Sequence, residues 1–331
     1  MKFYTSVLPF KGKLLVRGVN QDGNHKKYKI NYKPNLFIPT KNQSKYKTLD
    51  GRSVDKVKFN SIYEARKWID EYKDVTNFEY FGNTRYQYPF ISWYLVLPKY
   101  TRYQYPFITD EFPGKIDWDI KQIKLLTIDI ECESENGFPD VEKAEETLIC
   151  ITVKDHTSKR IIVFGMDNFV NDRDDVQYIK CKSEIDLIHQ FTKFWTEYEP
   201  NIITGWNVKF FDIPYLFNRF KYIMGEEYLN QFSPWGTVTN SSAISLGYAR
   251  TQNYYDILGV DTLDYLDLYR KHTFIRRESY KLDYIGEVEL GENKTENPYD
   301  TFKEFYSNDY QRFVEYNIQD VELVDKLEDK M

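Results

Sequence analysis

The chain has 331 residues, 41% hydrophobic and 29% charged, with a formal net charge of −6 at pH 7. That length accommodates two domains, each with a real core. The acidic balance argues against a protein that grips nucleic acid through a basic surface alone, and is neutral for an enzyme that gathers carboxylates around metal ions.

Three cysteines, Cys132, Cys150 and Cys181, show no Cys-x-x-Cys spacing, so neither a disulfide framework nor a zinc site is indicated. The four histidines are scattered and suggest no His-based metal site. Aromatic residues reach 18%, but Tyr, Phe, Lys, Asn and Ile are rich throughout, which points to a compositional bias rather than a base-stacking surface. The start, Met1-Lys-Phe-Tyr-Thr-Ser-Val-Leu-Pro9, lacks a signal-peptide core, and no apolar run reaches membrane-spanning length. A soluble protein of the cytoplasm, without membrane contact, is expected.

Residues 1–114 read as mostly β, with strand-like runs at 3–8, 13–18, 27–32 and 36–39. One helix is expected from the cap Asn60 or Ser61 through Tyr72, since Ile62, Ala65, Trp68 and Ile69 repeat at helical spacing. Thr84-Arg-Tyr-Gln-Tyr-Pro-Phe-Ile91 recurs as Thr101-Arg-Tyr-Gln-Tyr-Pro-Phe-Ile108, a short duplication that fits a surface connection.

From residue 115 to 331 the pattern turns to α/β. Lys121–Glu133 contains a buried strand, and 148–154 and 160–164 follow as strands. Ser183 caps a helix over 184–198, residues 201–204 form a short strand, and 205–207 a turn. The next helix opens near Asp212, carries Pro214 in its first turn and runs to about Ile223. Residues 242–259 read as a hairpin, 260–268 as a strand, and 301–330 as helical with a break near 307–309.

The chemistry starts on the strand Leu125-Leu-Thr-Ile-Asp-Ile-Glu131. Alternation puts Asp129 and Glu131 on one face and Ile128 and Ile130 on the other. Two carboxylates side by side at the end of an apolar strand repel each other, and a divalent cation between them removes the conflict. Asp212 adds a carboxylate at a helix start, where a plain N-cap is the competing reading. Tyr316 and Asp320, four apart on the last helix, share a face and can offer a phenol and a carboxylate together.

In this order the segments resemble the three exonuclease motifs of the DEDDy 3′→5′ exonucleases, in particular the proofreading domain of family B DNA polymerases of the T4-like phage type. The residues that carry the resemblance are Asp129-Ile-Glu131 with Gly137-Phe-Pro139, Thr204-Gly-Trp-Asn207 through Phe211-Asp-Ile-Pro-Tyr215, and Tyr316-Asn-Ile-Gln-Asp-Val321. Leu263-Asp-Tyr-Leu-Asp-Leu-Tyr269 and Ser279-Tyr-Lys-Leu-Asp-Tyr-Ile285 add to it.

The resemblance implies an RNase H-like exonuclease domain over 115–331 behind a β-rich α+β N-terminal domain over 1–114. It implies two Mg²⁺ ions, replaceable by Mn²⁺, on Asp129, Glu131, Asp212 and Asp320, with Tyr316 orienting the attacking water. Phe138, Asn207, Phe211 and Lys294 are the expected substrate contacts. The implied substrate is single-stranded DNA or a primer–template 3′ end, and the hairpin would part primer from template. A sliding clamp, and RNA through the N-terminal domain, are the further partners implied.

The polymerase signatures Asp-Thr-Asp and Ser-Leu-Tyr-Pro-Ser are absent, and the chain stops at Met331, before the segment that in the family returns to the N-terminal domain. An incomplete N-terminal domain and a separate or missing polymerase part are therefore expected, as in a split gene product or a truncation. The family has one copy of the duplicated octamer, and the second copy here matches it. The competing functions are a non-catalytic nucleic-acid-binding or regulatory fragment, and a structural half of a split polymerase active only with its partner.

Overall fold

Strand β7 (Leu125–Cys132) lies inside a six-stranded sheet and positions everything that follows. The computed structural model describes all residues except 12, 32, 49, 82–107, 109, 110, 113, 135, 136, 245–250, 293–296 and 331. The duplicated octamer, apart from Ile108, and Lys294 therefore lie outside the described residues.

The chain divides into two units, Met1–Asp119 and Ile120–Met331. In the first, β1 (Phe3–Phe10), β2 (Lys13–Val19) and β3 (His25–Ile30) form an antiparallel sheet. A second antiparallel sheet has the order β4 (Asn35–Pro39), β6 (Ser53–Lys58), β5 (Tyr46–Lys47). Helix α1 (Ile62–Tyr72) is capped by Ser61, whose side chain accepts the Glu64 N–H, while Glu64 accepts the Asn60 N–H in return. Its Ala65 is buried with Leu36 and Phe59, and Trp68 and Ile69 pack against them.

The second unit is built on a mixed sheet in the order β10 (Val176–Lys180), β9 (Ile161–Gly165), β8 (Leu148–Asp155), β7, β11 (Ile202–Gly205), β14 (Asp261–Asp264). β7, β11 and β14 run parallel, whereas β8 is antiparallel to both β7 and β9. A strand covered on both faces needs apolar side chains on both, and β7 meets that need until its polar end.

On one face Leu126, Ile128 and Ile130 pack with α2 (Glu184–Tyr198) and α3 (Asp212–Met224) through Phe191, Trp195, Leu216 and Phe220. On the other, Cys150, Ile161 and Val163 pack with α6 (Phe302–Asn308) and α7 (Tyr310–Lys330) through Phe305, Phe313 and Ile318. The hairpin is β12 (Val238–Ile244) paired with β13 (Thr251–Ile257), so it opens earlier than expected.

Other sequence expectations need correction as well, and strand β6 and helix α5 (Leu282–Leu290) were not foreseen. The strand expected over 260–268 ends at Asp264, because the Asp264 side chain accepts the Leu266 and Asp267 N–H groups and starts helix α4 (Tyr265–His272). Strand β10 was missed; it is half polar and sits at a sheet edge, pairing in parallel with β9. Helix α5 completes the fold, ended by Gly291 in the left-handed region. Among the described residues, no helix is long and apolar enough to cross a membrane.

Candidate active site

β7 presents Asp129 and Glu131 on the face opposite its buried Ile128 and Ile130. That face is crossed by α7, which brings Asp320 to them although it lies far along the chain. Asp129, Glu131 and Asp320 each offer a carboxylate oxygen, and the three oxygens lie within 4.8 Å of one another. Asn317, fully buried one turn before Asp320, donates its Nδ2 to Asp129 Oδ2 at 2.5 Å. Its Oδ1 is buried without a hydrogen-bond donor among the described residues.

Asp212 is the first residue of α3, not its cap; the cap position is Phe211, which makes no side-chain capping bond. The Asp212 carboxylate turns instead onto β7, where Oδ1 accepts the Ile130 N–H at 3.2 Å. It is 2% exposed. Burial pushes its carboxyl up to about 8, and the negative charges of Asp264 and Asp320 push the same way. Asp212 is not among the three residues whose oxygens converge.

The turn that delivers Asp212 depends on two residues. A Cβ at Gly205 would sit 2.5 Å from the Ile128 carbonyl oxygen, so only glycine lets β11 lie this close to β7. Asn207 has φ 66°, a left-handed conformation that Asn tolerates better than most residues. Its carbonyl accepts the Phe210 and Phe211 N–H groups.

Asp264, which the sequence reading did not single out, organises the same turn. It accepts the Asn207 N–H at 3.2 Å and the Lys209 N–H at 2.9 Å besides capping α4. Burial pushes its carboxyl up to about 6. The available signal was Asp264 immediately before an apolar, helix-spaced run, which is an N-cap pattern.

The Tyr316 ring lies edge-on to Phe305 at 5.9 Å, beside the core beneath α7. Phe138 is 81% exposed, and its ring centroid is 4.9 Å from that of Phe211. A second group that sequence reading missed is His156, Asp325 and Glu328, also with potential ligand atoms within 4.8 Å. Lys154 and Lys159 already hold Asp325 at 2.8 and 2.7 Å, which makes this group an ion cluster.

An all-oxygen donor set suits a hard divalent cation. Two oxygens on one Mg²⁺ at 2.0–2.1 Å lie at most about 4.2 Å apart, so Asp129, Glu131 and Asp320 would need only small rotations to share one such ion. The unmatched Asn317 acceptor beside them is what a hydrated cation would satisfy. The residues present fit such an ion.

Residues 99–285 match the family model for DNA polymerase family B, exonuclease domain. That stretch contains Asp129, Glu131 and Asp212, while Tyr316 and Asp320 lie beyond it. The DNA-directed DNA polymerase of Enterobacteria phage T4 is 30% identical over 353 aligned residues, covering 99% of this chain and 37% of the relative. The DNA-directed DNA polymerase of Escherichia phage RB69 is 28% identical, covering 97% and 36%. The DNA polymerase delta catalytic subunit of Caenorhabditis elegans is 28% identical, covering 64% and 20%. The chain thus spans little more than a third of the length of the phage relatives. With the mixed sheet, the carboxylate strand and this match together, the chain belongs to DNA polymerase family B and carries its RNase H-like exonuclease domain.

Proposed function

We propose that the chain is a metal-dependent 3′→5′ DNA exonuclease, the proofreading part of a family B polymerase, releasing deoxynucleoside monophosphates from a single-stranded 3′ end. The observation that carries this reading is the convergence of Asp129, Glu131 and Asp320 within 4.8 Å from two elements. In this reading Asp129, Glu131, Asp212 and Asp320 hold two Mg²⁺ ions, or Mn²⁺ in their place. Bound there, the ions acidify water and take up charge on the departing 3′ oxygen.

The chain's own residues do the rest. Asn317 fixes the rotamer of Asp129, so one metal ligand is oriented before substrate arrives. The Tyr316 phenol orients the attacking water toward the scissile phosphorus. Phe138 and Phe211 stack on the terminal base, since an exposed ring accepts any base. Asn207 and Lys294 contact the strand next to it. A frayed or mismatched end is preferred, because the terminal nucleotides must unpair to reach carboxylates set into the sheet. Residues 1–114 form a separate N-terminal domain in this assignment. A polymerase part, a sliding clamp and an RNA bound by that domain are the proposed partners.

Digestion of a 5′-labelled single-stranded oligonucleotide with Mg²⁺ or Mn²⁺ tests the proposal. The expected result is a ladder shortening from the 3′ end, abolished by EDTA and by Asp129→Ala. Wild-type rates from the double variant Asp129→Ala/Glu131→Ala would sink it.

A further inference from the structure

The loop after α4 is a basic patch on an acidic protein. Between residues 270 and 281 stand Arg270, Lys271, Arg276, Arg277 and Lys281 against a single acid, Glu278, in a chain of net charge −6. Arg270, Lys271, Phe274, Arg276, Arg277 and Tyr280 line a cavity of about 670 Å³. Between the cations the chain projects Phe274, which is fully exposed at 101%, and Ile275 at 64%.

The patch is a built structure. The Arg270 guanidinium lies over the Tyr280 ring, 4.5 Å from its centroid. The Arg277 N–H donates to the Tyr280 hydroxyl at 3.4 Å, and its guanidinium bonds the Tyr269 hydroxyl and the Glu289 carboxylate. Glu289 thereby offsets Arg277. Lys271 and Arg276 are exposed and have no ion-pair partner among the described residues. What remains for a ligand among the described residues is Lys271 and Arg276 on the loop itself, with Lys281 at the start of α5, and one free aromatic face.

Its place in the fold links it to the carboxylate site. The Trp206 indole N–H donates to the Tyr280 carbonyl at 3.0 Å, and Trp206 directly precedes Asn207 on the turn that leads to Asp212. Asp264, at the other end of α4, accepts N–H groups from that same turn. The basic loop is thus tied to the edge of the sheet that carries the carboxylates.

We propose that Arg270–Tyr280 is a single-strand contact: Lys271 and Arg276 take two backbone phosphates, and Phe274 stacks on a base of the same strand. This rests on the exonuclease reading for the identity of the strand. Cations alone would take duplex and single strand alike, whereas an exposed ring between them rewards only unpaired bases.

Fluorescence anisotropy of labelled dT16, and of a blunt duplex of equal length, is measured on the full chain in EDTA over a salt series, so that binding is read without hydrolysis. Lys271→Gln/Arg276→Gln should weaken dT16 binding and flatten the slope of log K against log salt by about 1.4, at about 0.7 per phosphate. Phe274→Ala should weaken dT16 binding about fivefold or more, leaving the slope and duplex binding unchanged. Phe274 is fully exposed, so its removal leaves the core intact, and a circular dichroism melt confirms that each variant is folded.

Affinities equal to wild type in both variants overturn the proposal. So does an equal loss on duplex and dT16 for Phe274→Ala, or capture by anionic phosphatidylglycerol vesicles with dT16 binding unmoved by the variants. Digestion of the same oligonucleotide with Mg²⁺ separates the two readings. Hydrolysis with unchanged dT16 affinities sinks the loop alone, and lost affinities without any wild-type hydrolysis sink the exonuclease alone.

Discussion

Asn317 turns Asp129 from one of several neighbouring acids into an oriented ligand. Removing such a partner typically costs 10–100-fold in metal affinity or activity. Asn317→Ala should therefore slow metal-dependent digestion about 10- to 100-fold. A Mn²⁺ titration of rate should show the loss as a raised metal requirement, and an unchanged titration would refute the role. Sequence alone made Asp129 and Glu131 legible, because strand alternation fixes their shared face. Asn317 was within reach, three residues before Asp320 on one helical face, but a neutral amide gives no charge pattern to notice.

Titration makes a second expectation at this scale. Asp264 is pushed up to about 6 and Asp212 up to about 8, both chiefly by burial, against about 4 in an unfolded chain. Between these values the folded, metal-free chain keeps protons that the unfolded chain has released. Its stability is then highest near pH 4 as far as these groups decide, and falls as pH rises through 6 toward 8. Asp264→Asn keeps a capping oxygen and should remove only the Asp264 share of the fall between pH 4 and 6, on the order of 2 kcal/mol, leaving the slope that Asp212 imposes across the same range. Urea midpoints in EDTA across that range check it; the same slope in the variant would count against Asp264.

At the scale of elements, the junction from β11 into α3 carries the most constraint per residue. Gly205 has no room for a methyl group against the Ile128 carbonyl oxygen, and Asn207 must turn left-handed two residues later. Gly205→Ala should cost about 1–3 kcal/mol as overpacking and shift β11 away from β7. A lowered urea midpoint with an unchanged m value is the expected signature. The strands and helices of residues 120–331 were mostly readable from period and caps. The error at Val260–Leu268 has a simple cause: β14 is four residues long and hands over to α4 without a break, so the apolar run straddles two periods. The sheet order was not readable at all, since β14 pairs beside β11 only through contacts distant in sequence.

Across the whole molecule, α7 is held by charge as well as by packing. Asp325 is buried, which works to raise its carboxyl, yet hydrogen bonds from Lys154 and Lys159 outweigh that and hold it below the usual carboxylate range. The Lys154 and Asp325 side chains are only 10% and 6% exposed. Asp325→Ala leaves that lysine buried and unpaired, and should cost about 3–5 kcal/mol, visible as a large drop in melting temperature. A change within 1 °C would mean the lysine finds water instead.

The position of this lock on α7 has a mechanical consequence. Asp325 follows Asp320 by five residues, about 500° of helical turn, so the lysines grip the rod on a different meridian from the carboxylate that meets β7. A rod of about 30 Å pinned on two meridians can neither roll nor slide. The azimuth of Asp320 is then set by β8 and the turn after it together with the α6 rings Phe302 and Phe305 that pack on Phe313, and not by the connection that precedes α6. Residues added or removed between α5 and α6 should leave the three carboxylate oxygens where they are.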